Sequence, residues 1–403
     1  MKIAIIGGGA AGFMAALTAA PRHPTAEVVI LEKTSEVLSK VRISGGGRCN
    51  LTNRPAEPAI FAANYPRGGK SMRSLLYQFG AQDTIDWFGH RGIKTKVEAD
   101  GRVFPQSDRS ESIINCLLAE AERLKVKIRI RTAVTEIKPL EEVGFQLTYG
   151  FGGAEYFDKV IVSPGGSPKS SAYDWLQHLG LKIRDPFPAL FTFNTPQHPL
   201  LKLMGISVPA ARVHLEGMKF SYLGPLLITH WGFSGPAVLK LSAWGAEHLL
   251  KCGYQHRFSI NWLGEVKTQD VLDILKDHKH QNAAKPLSNY PFKQLPARLW
   301  QYFINSTGIE VTQSWQTVNF KWLESLAQLL AHSILEMKGK TTFKEEFVTA
   351  GGIELDQINL KTMEAKNIPG LYFAGEILNV DGITGGYNFQ HAWSSGFIAG
   401  SNV

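Results

Sequence analysis

The stretch KIAIIGGGAAG, residues 2–12, decides the fold. Its opening residues are apolar with little alternation, the pattern of a short strand buried on both faces of a parallel sheet. The glycines then read Gly7-x-Gly9-x-x-Gly12 and open a helix over 10–20, small and apolar enough to press closely on a sheet. Val28, Val29, Ile30 and Leu31 form a second buried strand ending on Glu32, which completes a right-handed βαβ unit. Each glycine has its own physical task. Gly7 makes the tight turn, Gly9 lets a pyrophosphate approach the backbone, and Gly12 seats the helix against the strand. The helix N-terminus, with Ala10 and Ala11, turns its amides toward the negative charge. Glu32, followed by Lys33, stands where it can accept from both ribose hydroxyls and repel a 2′-phosphate. The alternative, a glycine-rich turn without a ligand, is opposed by the strand, helix and acidic residue all falling at the expected offsets.

Glu32 does not separate FAD from NAD, but distant residues do. The stretch 371–376, LYFAGE, delivers Gly375 and Glu376 at the end of a strand, the form of a contact with a flavin ribitol. DGITGGYN at 381–388 follows, with Gly385, Gly386, Tyr387 and Asn388 leading into a last helix. Amides at that helix start oppose the negative charge that develops on a flavin pyrimidine on reduction. The helix carries Ala392, Ser395, Gly396, Ala399 and Gly400, a small face matched to Ala15, Ala16 and Ala19 of the first helix. A third site, residues 43–53, contains Ser44, Gly45, Gly46, Gly47, Arg48, Cys49, Asn50 and Asn53. Its backbone amides, Arg48 and Asn50 predict a nest for the pyrophosphate or the flavin ring. Gly165 and Gly166, after the apolar strand 160–162, complete the expected cofactor contacts.

The 403 residues exceed one ordinary core, and 44% hydrophobic with 19% charged residues excludes global disorder or coiled coil. No run reaches the roughly 18 apolar residues of a membrane span, so no membrane partner is expected. The first twenty residues resemble a secretory signal, but their glycines would break its apolar segment. Three cysteines, Cys49, Cys116 and Cys252, lie too far apart for a disulfide framework or a zinc set, and a cytoplasmic location is expected. No metal is expected; His278 and His280 would point in different directions on a helix. A net charge of +8 permits a nucleic acid, an anionic cofactor or an acidic substrate. Basic residues Lys125, Lys127, Arg129 and Arg131 alternate with apolar ones in what reads as a β-meander over 126–162. They read as a strand's wet face, which makes RNA the weaker partner.

These segments resemble a family of bacterial flavoproteins known as NAD(P)/FAD-dependent oxidoreductases or aminoacetone-oxidase-like proteins, related to the bile-acid-reducing BaiN type. The matching segments are 7–12, SGGGRCNLTN at 44–53, DGRVFPQS at 100–107, THWGFSGPA at 229–237 and 370–396. SPGG at 163–166 departs from the family's usual ATGG but keeps both glycines. The resemblance implies an α/β chain with a split Rossmann-like FAD-binding domain and an inserted β-rich, barrel-like domain carrying a helical subdomain. Composition shifts place the FAD domain at 1–188 and 347–403, and the insert at 189–346, β-rich over 189–266 and mainly helical over 267–346. Residues 34–110 read mostly as loops with a helix near 71–88.

Flavin chemistry implies hydride transfer between NAD(P)H or a small substrate and the cofactor, with an activated double bond as acceptor. NAD(P)H would bind only transiently, since no second glycine fingerprint is present. The alternative is a flavin-dependent RNA-modifying or RNA-binding protein. Two candidates for the chemistry come from the family segments. Arg102 could hold a substrate carboxylate, against a surface ion pair. His230 could act as acid or base, against a structural hydrogen bond. Cys49 has no CxxC partner and reads as a small packing residue near the cofactor.

Overall fold

The structure is a computed structural model that describes all residues except 142 and 342–347. Lys2–Ile6 is the central strand of a parallel sheet, with Glu27–Leu31 on one side and Lys159–Val162 on the other. Leu371–Phe373 pairs parallel with Lys159–Val162, and Lys127–Arg129 closes the opposite edge beside Glu27–Leu31. Ile5 and Ile161, paired in register, are fully buried, as expected for a sheet covered on both faces. The first helix, Ala10–Arg22, packs against the last, Tyr387–Asn402. A Cβ on Gly396 would lie 2.4 Å from the Ala11 carbonyl, and one on Gly400 would lie 2.2 Å from that of Ala15. The small face of each helix is therefore what brings the two chain ends together.

Two compact units result: 1–189 with 344–403, and 190–343. The expected return boundary at 346/347 lies outside the described residues. In the second unit, an antiparallel sheet contains Ser207–Leu215, Ser221–Ile228 and Gln255–Asn261. Its edges, Ser333–Lys338 and Lys340–Thr341, are one chain segment broken at Gly339, so the sheet closes on itself as a barrel. Helices Thr268–Gln281, Ala297–Ser306 and Phe320–Ala331 form the helical part.

Two elements fall in parts dominated by the other type, and two local expectations are corrected. The helix Pro236–Lys251 lies in the part expected to be β-rich; Gly235-Pro236 looks like a break, yet proline at the first position starts a helix. The strand Ser333–Lys338 lies in the part expected to be mainly helical, because the barrel needs it for closure. Residues 34–110 hold Ser39–Gly47, Pro58–Ala62, Gly69–Leu76 and Ala81–Gly89, short helices that glycine and loop residues keep from joining. Finally, Lys127–Arg129 belongs to the parallel sheet, while the meander is Val134–Pro139, Phe145–Tyr149 and Ala154–Phe157. Lys127 pairs with Glu27 at 3.1 Å and Arg129 with Glu155 at 2.6 Å, so these basic side chains are already compensated.

Candidate functional site

The glycine loop forms where the first strand meets the first helix. Gly7 has φ +109°, and a Cβ there would lie 2.3 Å from the Ser163 carbonyl. One on Gly12 would lie 2.0 Å from the Gly7 carbonyl. Ser163, the departure from ATGG, donates through its hydroxyl to the Ile6 carbonyl at 3.2 Å and so ties two strand ends. Gly9 differs from its neighbours: a Cβ there would meet nothing within 4 Å, which leaves the approach to the loop open. The first helical turn contains no acidic residue, so its positive end is uncompensated.

Glu32 accepts from the Gly8 amide at 2.8 Å and, through its other oxygen, from the Thr34 amide at 2.8 Å and hydroxyl at 2.9 Å. Those bonds fix the carboxylate beside the loop while leaving lone pairs for ribose hydroxyls. Lys33 is exposed next to it. The second glycine cluster breaks the helix Ser39–Gly47 at Ser44; Gly45, Gly46 and Gly47 then take φ of +58°, +69° and +82°. Gly46, Gly47 and Gly165 would each carry a Cβ into open space, so two backbone segments are uncrowded there. These glycines, Gly9 and the helix start fit a dinucleotide pyrophosphate.

The last helix connects these parts. Asn53 donates to the Gly385 carbonyl at 2.8 Å, and Gly386, with φ +93°, rests against the Thr52 carbonyl, where a Cβ would lie at 2.3 Å. With its amide oriented to satisfy both ends, Asn50 accepts from the Gly386 N–H at 2.9 Å. At the other end, Gly375 lies so close to Ala11 that a Cβ would be 2.8 Å from the Ala11 Cβ.

Several expected side-chain contacts are redirected. Arg48 donates to Glu98 at 2.7 Å and stacks over Phe104 at 3.9 Å. Arg102 pairs with the other Glu98 oxygen at 2.9 Å and with Asp100 at 2.7 Å, so it forms the ion-pair network and not a free carboxylate clamp. The Glu376 carboxylate is held by Lys40 at 2.6 Å and by the Thr349 amide at 2.8 Å. Burial raises its pKa, but Lys40 and the backbone amides outweigh this and leave it below the usual value. Asn388 grips both backbone groups of Gly382, at 2.8 and 2.9 Å, and the Tyr387 ring packs on Phe61 and Tyr65. These bonds fix the side chains in place and leave the backbone groups beside them as further contacts for a cofactor. Cys49 is fully buried with φ +61°, and burial pushes its thiol up to about 12, so it packs and does not attack. In the second unit, His230 is exposed on a turn with its ring 3.7 Å from that of Trp231.

Two features had no sequence signal. Arg67 forms a two-bond ion pair with Asp381, which is fully buried. His391 is 2% exposed; burial lowers its pKa to about 4, only partly opposed by Glu376. A histidine neutral when folded but ordinary when unfolded gives stability that is full above the unfolded value of 6.5 and is lost as pH falls toward 4. Between pH 7 and 4.5 this amounts to about 2 kcal/mol. Denaturant unfolding at those two pH values is expected to show a smaller loss for His391→Gln than for the unsubstituted chain. Equal losses would refute the role of this histidine.

Such a split parallel-sheet unit, with a glycine loop and an inserted barrel, defines the FAD-dependent oxidoreductases of Rossmann-like fold. The chain belongs to the HI0933-like protein Rossmann domain family, whose model matches residues 1–402. It is 30% identical to a 3-dehydro-bile acid delta(4,6)-reductase of Clostridium scindens over 99% of this chain and 98% of that one. Identity is also 30% to a ribosomal RNA dihydrouridine synthase of Escherichia coli, over 99% and 97%. In fold it is similar to the 3-ketosteroid-delta4-(5alpha)-dehydrogenase of Rhodococcus jostii, with a TM-score of 0.52 and 15% identity over 99% and 97% of the two chains. Among the described residues no helix is long and apolar enough to cross a membrane.

Proposed function

We infer that this chain reduces a carbon–carbon double bond conjugated to a carbonyl. When bound, FAD supplies the hydride. The open, positively ended loop at Gly9, joined through the last helix to the Gly385–Gly386 turn, is the observation that carries the flavin part of this reading. The amides of Gly9, Ala10 and Ala11 hold the pyrophosphate, and Glu32 holds the ribose hydroxyls. Backbone amides at the start of the last helix, whose first turn lacks acidic residues, oppose negative charge on the ring. The two named relatives support the bond type, because delta(4,6)-reduction of a 3-dehydro bile acid and formation of dihydrouridine both saturate a double bond in conjugation with a carbonyl.

Small enones are the favoured substrates. A second reading, uridine in ribosomal RNA, is favoured by the ribosomal RNA dihydrouridine synthases of Escherichia coli and of Haemophilus influenzae; the ion pairs of Lys127 and Arg129 weaken its electrostatic case. Anaerobic titration with NADH and NADPH identifies the donor, after which the reduced protein is mixed with a 3-keto-4-ene steroid or with ribosomal RNA lacking dihydrouridine. Rapid flavin reoxidation with a product heavier by two hydrogens is expected for the steroid. If only the RNA is reduced, the second reading holds; if neither acceptor is reduced, double-bond reduction is refuted.

A further inference from the structure

We propose that the second unit carries a zinc site built from His248, Cys252 and His256, with water in the fourth position. The ligand atoms of the two histidines and the cysteine lie within 4.8 Å of one another. Local sequence explains why they meet. His248 and Cys252 are four residues apart at the end of the helix Pro236–Lys251, so they share a face. The chain then reverses through Gly253 and Tyr254, with φ of +61° and +59°, and returns as the strand Gln255–Asn261 carrying His256. Sequence spacing between the three cysteines missed this set because only one of them belongs to it.

The side chains are prepared for a cation. The His248 Nε2 is shielded from solvent and has no hydrogen-bond partner, and Glu216 has a shielded oxygen in the same condition. Leaving such atoms unpaired is costly, and coordination would satisfy the His248 nitrogen. His256 Nε2 lies 3.0 Å from the Glu216 carbonyl. With that nitrogen as donor, Nδ1 keeps its lone pair for a metal and the ring is oriented by its second bond. The His248 and His256 rings lie 4.8 Å apart at 83°, so they are not stacked. The negative end of the helix also falls at Cys252, favouring a cation. Two imidazoles and a thiolate, with water in the fourth position, suit zinc, whose bonds of about 2.0–2.3 Å require the ligands to close by roughly 1 Å. His256 borders an open cleft that gives an ion access; Lys338 in its wall is paired with Glu336 at 3.1 Å.

The FAD-loaded full chain, stripped with a chelator, is to be exposed to Zn2+, desalted and measured for metal. One Zn2+ per chain is expected, with affinity from chelator competition at least tenfold weaker for Cys252→Ser and for His248→Ala. His23→Ala, outside the cluster, should retain the original affinity. Zn2+ should raise the melting temperature by about 5 °C in the original chain and not in the two cluster variants, whose melting in chelator stays unchanged. Failure to retain Zn2+, or retention unaffected by both cluster substitutions, overturns the site. Neither result depends on turnover or on the identity of the reduced substrate.

Discussion

Gly12→Ala is expected to yield a protein that neither retains FAD nor melts as a native chain does. Its Cβ would lie 2.0 Å from the Gly7 carbonyl and 2.9 Å from the Ser163 hydroxyl. Both neighbours are fixed: Gly7 donates its N–H to the Leu31 carbonyl at 2.8 Å, and Ser163 is bonded to Ile6. The first helix must therefore move off the sheet, disturbing its contact with the last helix as well. A cost of about 3 kcal/mol or more is expected, at the upper end of ordinary overpacking because backbone cannot rotate away. Gly9→Ala separates folding from cofactor approach. Its Cβ meets no protein atom and its φ of −91° suits alanine, so the stability of the apoprotein should not change. FAD affinity should fall at least tenfold, because the methyl group enters the space assigned to the pyrophosphate. Flavin absorbance after desalting and melting of the apoprotein read the two effects separately. Full FAD retention by Gly9→Ala would remove the phosphate site from this loop.

The second large effect is expected from the buried pair. Arg67→Met should lower stability by about 3–5 kcal/mol, since it removes the cation bonded to the fully buried Asp381 carboxylate and leaves Arg184 as a positive neighbour. Burial already raises the Asp381 pKa despite Arg67, so the lone carboxyl should take up a proton more readily once the guanidinium is gone. The double variant Arg67→Met with Asp381→Leu should recover much of the loss, because no uncompensated charge remains. Urea unfolding of the single and double variants measures this coupling. Additive losses would show that the two side chains act independently. Because Arg67 precedes the helix Gly69–Leu76 and Asp381 lies in the turn before the last helix, this pair also bears on how the carboxy-terminal segment is held in the first unit.

How much of the site was legible follows from what each residue does. Gly7, Gly12, Gly386 and Gly396 act through backbone space, and their spacing in the chain already states which elements approach closely. Arg48, Glu376 and Asn388 act through side chains, whose partners Glu98, Lys40 and Gly382 are chosen only on folding. Arg102 shows the same limit: a turn arginine is compatible with a substrate clamp until Glu98 and Asp100 are placed beside it. His391 carried no periodic signal, since one buried imidazole in a small-faced helix looks like any other polar residue.

The sequence by itself determined the βαβ unit, the pairing of the two chain ends and the family, because glycine spacing and apolar runs are local requirements that few other residues satisfy. The tertiary structure alone decided the closure of the barrel through Gly339, the ion pairing of the basic strand and the meeting of His248, Cys252 and His256. These depend on side chains and strand edges brought together from separate elements, and periodicity in a single stretch carries no record of what lies across the gap.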